Sequence, residues 1–584
     1  MKNFSKYFPY APWVEELKNQ LLELRNASKI KADITAGITV ALVLVPQSMA
    51  YAQLAGLPAY YGLYASFLPV IIAAIMGSSR QLSTGPVAIV SLLTAASLEP
   101  FATNPDTYIS YAILLAFLVG IFQISLGLLR LGLLINFLSH PVVVGFTNAA
   151  AIIIATSQLG KIFGVSVVRS EHTYETVWNT LVASVHSAHF TTVAIAIIAF
   201  LTLYLIKKFA PKFPNVLIAV VITTLASWIF NFEQHGGKIV GNVPSGLPPF
   251  SIPELDINVA RDLIITAITI ALIGFMEAIS IAKAMAAQTR QRLDINQELI
   301  GQGASNIVAS FFSGYAVSGS FSRSAVNIDS GAVTIFSSIV TGLVVAITLL
   351  WLTPLLYNIP QATLAAVIIM AVINLVKFQP IKHAWKVEKH DGVVAITTFV
   401  LTLMFAPHLE NGILIGVLLS LGLFVFRTMK PSFAELSARE GSSLLVDAVD
   451  NKLERSEIVT IVKFSGSLYF ANANYFETKM LQLVAEKDNL KYIIVDMAGI
   501  NWIDSSGEHV LTTLIERLAN SNIELLFARI EGIEKVLRRS GFIDDFGEKR
   551  FFYHRLEALS FAWNELGNIE ANKNPLKHLI TNIA

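Results

Sequence analysis

Gln81-Leu82-Ser83-Thr84-Gly85-Pro86 runs into a short apolar stretch, 86–98, and Val317-Ser318-Gly319-Ser320-Phe321-Ser322 runs into another, 323–333. A membrane-spanning helix takes about 20 mostly apolar residues, so neither stretch crosses a bilayer alone. Each is approached through a Ser/Gly-rich segment that suits unwound backbone. Such backbone is tolerated at membrane depth only where protein or a watery cavity satisfies its polar groups. A helix that starts there presents free N–H groups and about half a positive charge. Two such starts, near Pro86 and Arg323 and facing each other around the midplane, would form an anion site that needs no metal. Pro86 suits a first-turn position, where its missing N–H would have had no helical partner.

The surrounding sequence supplies the membrane. Hydrophobic residues make up 54% of the 584 and only 14% are charged, with a mean hydropathy of +0.61; soluble domains carry about 25% charged residues. Residues 33–155 hold five charged side chains (Asp33, Arg80, Glu99, Asp106, Arg130), whereas residues 431–584 hold 39. Twelve longer apolar spans fall near 33–54, 60–77, 107–129, 134–157, 189–206, 213–231, 262–285, 296–313, 334–353, 358–376, 393–408 and 411–426. With the two short stretches they make fourteen segments.

Loop charges orient them through the positive-inside rule. Lys or Arg occurs at the N-terminus, Arg80, Arg130, Lys207/Lys208/Lys212, Lys283/Arg290/Arg292, Lys377/Lys382 and Arg427/Lys430, in every second loop. Lys161, Arg169 and Lys238 fall in longer loops assigned to the outside, where the rule is weaker. Both termini are thus expected in the cytosol of a cell bounded by an inner (plasma) membrane. Residues 1–31 lack an apolar core running to a small-residue cleavage site and read as a cytosolic lead-in, a surface helix among the options. Fourteen segments divide into two sevens, and an odd-numbered repeat must be inverted in the membrane. Gly62-x3-Ser66 leads to Gly77 and, nine residues on, to Pro86; Gly301-x3-Ser305 leads to Gly314 and, nine residues on, to Arg323.

Among the intramembrane polar residues, Arg323 is a cation at a costly depth, where function is the usual reason. It reads as an anion ligand or, alternatively, as a partner of Asp329. Beyond Asp262 at its start, Glu277 is the only acid of its segment, and it reads as a proton-coupling group that exchanges a proton during a transport cycle, or as a static partner of Lys283 or Arg323. Gln47 and Tyr51, beside mid-helix Pro46, either face the cavity or hydrogen-bond neighbouring helices. His140-Pro141 and Thr147-Asn148 read as packing and kink residues.

After Lys430 the pattern turns soluble α/β. Strand-like runs at Ile458–Lys463, Tyr492–Asp496 and Ile523–Phe527 alternate with helix-like runs at 473–486, 507–520, 531–540 and 554–566; each crossover is long enough for one helix, as parallel or mixed sheets need. The expected domains are a segment 1–32, a transmembrane domain 33–430, a soluble domain 431–567 and a tail 568–584. The net charge of +1 gives no basic face for nucleic acid. The absence of cysteine excludes disulfides, thiolate metal sites and Cys nucleophiles. No Walker A, nucleophile elbow or paired-carboxylate motif occurs. The reading is therefore no enzyme, no cofactor and no metal.

These residues resemble the SulP family of sulfate permeases and related anion exchangers, from about Asp33 to Leu566. The resemblance rests on Pro46-Gln47-Ser48-Met49-Ala50-Tyr51-Ala52, Gly56-Leu57-Pro58-x3-Gly62-Leu63-Tyr64, Ser83-Thr84-Gly85-Pro86, His140-Pro141-x3-Gly145-Phe146-Thr147, Asn296-Gln297-Glu298-Leu299 and Ser320-Phe321-Ser322-Arg323-Ser324. It implies a fourteen-segment fold of two inverted seven-segment repeats, divided into core and gate domains, a homodimer, and a cytosolic α/β STAS domain. It implies an anion between the third and tenth segments, near Gln47, Tyr51, Val87, Ala88, Phe321, Ser322 and Arg323. A carboxylate matching Glu277 occurs in proton-coupled members, and sodium-coupled bicarbonate members differ there. Ser505 matches a phosphorylation site of anti-sigma-factor antagonists, although Asp504 and Ser505 are also ordinary helix caps. The leading expectation is proton-coupled uptake of sulfate, bound between half-helices three and ten. The alternatives are a bicarbonate, dicarboxylate or chloride symporter or exchanger, or a sensor or scaffold acting through the STAS domain and a cytosolic partner.

Overall fold

The computed structural model describes residues 11–99, 104–133, 138–167, 170, 173–210, 213–439, 444–567, 576 and 579. Arg169, Lys212 and most of the expected tail 568–584 lie outside these. The chain forms two compact units, Met1–Ser420 and Leu421–Ala584.

The first unit is helical. Each of the fourteen apolar segments overlaps a helix. Among the described residues seven helices, including Ala27–Leu54, Pro105–Leu128, Ile257–Thr289 and Leu409–Met429, are long and apolar enough to cross a membrane, and Tyr60–Met76, Ala88–Leu98, Asn215–Ile229 and Gln361–Val372 are shorter apolar helices. Side-chain oxygens cap several helix starts: Asn104 accepts from Thr107 N, and Asp256 from Asn258 N and Val259 N, satisfying N–H groups that have no carbonyl partner in the first turn.

The unwound segments meet as a two-stranded antiparallel ribbon. β1 (Thr84–Gly85) pairs with β2 (Ser318–Gly319) in the register Thr84↔Gly319 and Gly85↔Ser318. All four residues are buried. Half-helix Ala88–Leu98 follows β1 and half-helix Phe321–Asp329 follows β2. At 1.5 Å per residue they are about 16 and 13 Å long, close to half of a ~30 Å hydrocarbon layer.

Three details differ from the sequence reading. Pro86 precedes the N-cap Val87 and so lies outside the first half-helix. The second half-helix spans 321–329 rather than 323–333, because Gly331 takes φ +91° after the C-cap Ser330 and turns the chain. Arg323 consequently sits in the first turn of its half-helix and is not the repeat counterpart of Pro86. The lead-in forms helix Ala11–Glu23, which docks on the protein itself: Trp13 Nε1 donates to Ile75 O at 3.0 Å, Arg80 pairs with Glu16 and Glu23, and Ile335 N donates to Gln20 Oε1 at 3.1 Å.

The second unit is a six-stranded sheet in the order β4-β3-β5-β6-β7-β8, with β3 Ser432–Ala438, β4 Leu445–Asp447, β5 Val459–Ser465, β6 Tyr492–Asp496, β7 Glu524–Ala528 and β8 Phe551–Phe552. β5 to β8 are parallel, and β3 is antiparallel to β4 and β5. Apolar clusters cover both faces, one centred on Phe464, Phe476 and Phe527, the other on Ile461, Ile494 and Trp563, as parallel strands require. The three strands read from the sequence are present. β3, β4 and β8 were not read: β3 is dominated by small and polar residues, and the other two are only three and two residues long.

Candidate functional site

Arg323 is the largest fully buried side chain of the protein, at 0% exposure. Its Nη1 donates to Pro86 O at 3.0 Å, so the guanidinium of one half-helix reaches the entry of the other. Its Nε and Nη2 have no hydrogen-bond partner among the described residues. A Cβ on Gly85 would lie 3.2 Å from Nη2, so glycine there leaves room for the guanidinium. Among the described residues no ion pair joins Arg323 to Asp329 or Glu277 to Lys283, which removes two of the structural alternatives.

Glu277 lies on helix Ile257–Thr289, one turn beyond Gly274, whose carbonyl accepts from Ser318 Oγ at 2.7 Å. β2 is thereby fastened to the helix that carries the carboxylate. A Cβ on Gly319 would come within 3.0 Å of Ala278 Cβ, so only glycine allows that approach. Glu277 Oε2 has no hydrogen-bond donor among the described residues. Glu277, Arg323, Tyr51 and Tyr315 lie close enough to interact electrostatically.

Gln47 and Tyr51 are 5% and 6% exposed, and Gln47 Oε1 has no donor. Leu44, one turn before Gln47, stands 3.4 Å from the Cβ position of Gly85. Val87 and Ala88 are buried at the first half-helix start. The fold therefore brings Gln47, Tyr51, Val87, Ala88, Glu277 and Arg323 together. Phe321 and Ser322 occupy the second half-helix start but face outward: Phe321 is 61% exposed, and Ser322 Oγ meets Ser320 Oγ at 3.4 Å. Ser505 is exposed, as the first residue of helix Ser505–Ala519 in the other unit, with Asp504 as its N-cap. His140 and Pro141 start helix His140–Ser157, and Asn148 Oδ1 accepts from Lys377 N, in keeping with packing roles.

Sequence reasoning missed the scaffold beneath the site. Asn306 Nδ2 donates to Gln123 Oε1 at 3.0 Å and to Val317 O at 3.1 Å, while its Oδ1 accepts from Val317 N at 2.8 Å. Gln302 Nε2 donates to Thr84 Oγ1 and to Glu298 Oε1, and Glu298 Oε2 accepts from Ser78 N and Ser79 N. These side chains satisfy the unwound backbone that water cannot reach. The signal was present: Glu298, Gln302, Asn306 and Ser310 recur every fourth residue along helix Ile295–Phe311 and so share one face. Ser91 and Tyr315, 3.0 Å apart and both buried, likewise carried no sequence signal.

Fold and site define a multi-pass membrane protein built around two discontinuous helices whose N-termini meet at a buried arginine, with an α/β domain attached. Residues 30–398 match the sulfate permease family model and residues 451–558 the STAS domain model. The chain belongs to the sulfate permease family. It is a transporter and not an enzyme. Its relatives include the chloroplastic sulfate transporter 4.1 of Arabidopsis thaliana, 35% identical over 98% of this chain and 84% of that protein. The high affinity sulfate transporter 2 of Stylosanthes hamata is 33% identical over 92% of this chain and 84% of that one. The murine Solute Carrier 26 family member A9 anion transporter, in its inward-facing state, shares the fold with a TM-score of 0.86 at 24% identity, over 96% of this chain and 97% of that one. The transmembrane domain of a cyanobacterial bicarbonate transporter aligns with a TM-score of 0.58 at 24% identity, over 68% of this chain and 98% of that one.

Proposed function

We propose that this protein is a secondary active transporter of a small inorganic oxyanion, sulfate first, taken up together with protons. The observation that carries the reading is Arg323, fully buried at the meeting of two half-helix N-termini with two guanidinium nitrogens unpartnered. A buried cation is costly unless something compensates it, and a bound oxyanion would accept from Nε, Nη2 and the free N–H groups of both half-helices. Gln47, Tyr51, Val87 and Ala88 would line this position, with Phe321 and Ser322 on the way in. Glu277 would take a proton when the anion enters and release it on the other side. The named sulfate transporters among the relatives support sulfate as the cargo.

The same reading takes fourteen segments as crossing the bilayer in two inverted sevens, the protein as a homodimer with both termini in the cytosol, and the plasma membrane as its location. Domain limits are placed at 33–430 and 431–567. Labelled sulfate uptake into proteoliposomes, with and without an inwardly directed proton gradient, tests it. The gradient should drive accumulation above equilibrium, and unlabelled bicarbonate, dicarboxylate and chloride should compete poorly. Accumulation indifferent to the gradient sinks proton coupling, and stronger competition by another anion sinks sulfate as the cargo.

A further inference from the structure

The soluble unit carries an exposed aromatic cluster that transport does not use, at the edge where the chain leaves its last long helix. Helix Leu409–Met429 is followed by Lys430 and Pro431, and β3 begins at Ser432. Ser432 pairs with Ser465, so the carboxyl end of β5 lies beside that exit. The following loop is pinned to the helix: Asn472 Nδ2 donates to Thr428 O at 3.2 Å. It is also tied to the loop after β6, since Leu468 N donates to Trp502 O and Phe470 N to Asp504 Oδ2, each at 3.0 Å.

Three rings gather there. Tyr469 lies 5.6 Å from Phe470 and 6.1 Å from Trp502, centroid to centroid. Phe470 is 74% exposed and Trp502 55%. Aromatic side chains left in water at this position are unfavourable, whereas the lipid–water boundary accommodates them. At the helix end Lys430 Nζ lies 4.9 Å from the centroid of the Phe426 ring, the arrangement of a lysine that covers apolar surface with its stem while its charge stays wet. A crevice of about 590 Å³ opens at the carboxyl ends of the same parallel strands, lined by Lys463, Ser465, Asn501 and Arg529. Arg529 is engaged with Asp496, which leaves Lys463 as the crevice's unpaired cation among the described residues.

We propose that Phe470 and Trp502 insert into the lipid–water interface beside the last helix, with Lys463 facing anionic headgroups, so that the soluble domain makes its own contact with the membrane. The bilayer is favoured over a protein partner because the loop is fastened by a hydrogen bond to the end of a helix long and apolar enough to cross a membrane. The chain has no cysteine, so Ala471→Cys gives a single labelling point next to Phe470, in the loop that is hydrogen-bonded to Trp502. Ser521→Cys, before β7 at the other end of the strands, is the control. The full-length protein, labelled with a polarity-sensitive fluorophore, is reconstituted into phosphatidylcholine vesicles with and without phosphatidylglycerol and with a spin quencher on the acyl chains. Expected are blue-shifted, quenched emission at 471 and water-like, unquenched emission at 521. Quenching should fall when Phe470→Ser and Trp502→Ser are added, and should weaken with Lys463→Glu in the phosphatidylglycerol vesicles. Water-like emission at 471 overturns the proposal. So does blue-shifted emission that the lipid quencher does not reach, which would mean that protein, such as a second copy of the chain, covers the patch.

Discussion

The sheet of the soluble unit and the half-helix junction of the membrane unit treat buried charge in opposite ways. In the soluble unit Asp496, at 0% exposure, is held by Arg529 Nε at 2.9 Å and Nη2 at 2.5 Å and by Arg555 at 3.3 Å. Lys487 is equally enclosed by Glu435, Ser456 O and Thr460 Oγ1; burial holds its ammonium below the usual range, and Glu435 opposes that. In the membrane unit Arg323 has only a neutral carbonyl, and Glu277 has no donor on Oε2. A charge paired within the fold is part of its architecture. On the proposed function, a charge left without a protein partner is set aside for something that comes and goes, because a permanent partner would compete with the cargo.

Mutations that break this contrast follow from it. The largest effect on folding belongs to Asp496→Ala, which leaves two arginines without their carboxylate. We expect a loss of about 3 kcal/mol, at the low end for breaking a buried pair because both arginines are partly exposed and can rehydrate. Denaturant melts of the soluble unit, followed by its own probe in the full chain, measure this, and an unchanged midpoint would remove the pairing from the structural ledger. Arg323→Ala should instead spare stability, since it deletes a buried guanidinium with two nitrogens that lack partners among the described residues, while weakening anion binding by about 1–3 kcal/mol, the range for hydrogen bonds to charged groups. Calorimetric titration of sulfate into the purified variant, beside its melting curve, reads both; wild-type affinity in a folded variant would make Arg323 a structural residue.

Glu277→Gln keeps the shape and removes the proton site. Binding and exchange of anion should persist with gradient-driven accumulation abolished, and a variant that still accumulates sulfate at the wild-type rate would free Glu277 of coupling. Ser505→Glu should do least. It adds negative charge to an exposed helix N-terminus, where a few tenths of a kcal/mol of stabilisation is the usual scale. A large change in transport by this variant would point to a partner that reads position 505.

Sequence alone determined the division into a membrane part and a soluble part, because about 20 apolar residues are needed to cross a bilayer and charge is excluded from it. It also located the two interrupted helices and nominated Arg323 and Glu277, since an ionisable residue in an apolar run needs a reason. Local pattern could not assign β3, whose place beside β5 comes from pairing with a strand more than 20 residues away. Nor could spacing find the repeat register: the Gly77 and Gly314 intervals paired Pro86 with Arg323, whereas the ribbon opposes Thr84 to Gly319. Only the tertiary structure showed that Arg323 reaches Pro86, that Asn306 and Gln302 hold the unwound backbone, and that Phe321 and Ser322 are exposed while Arg323 is buried. Those facts depend on which buried polar atoms find partners across hundreds of residues, and hydrogen bonds of that kind leave no period in a sequence.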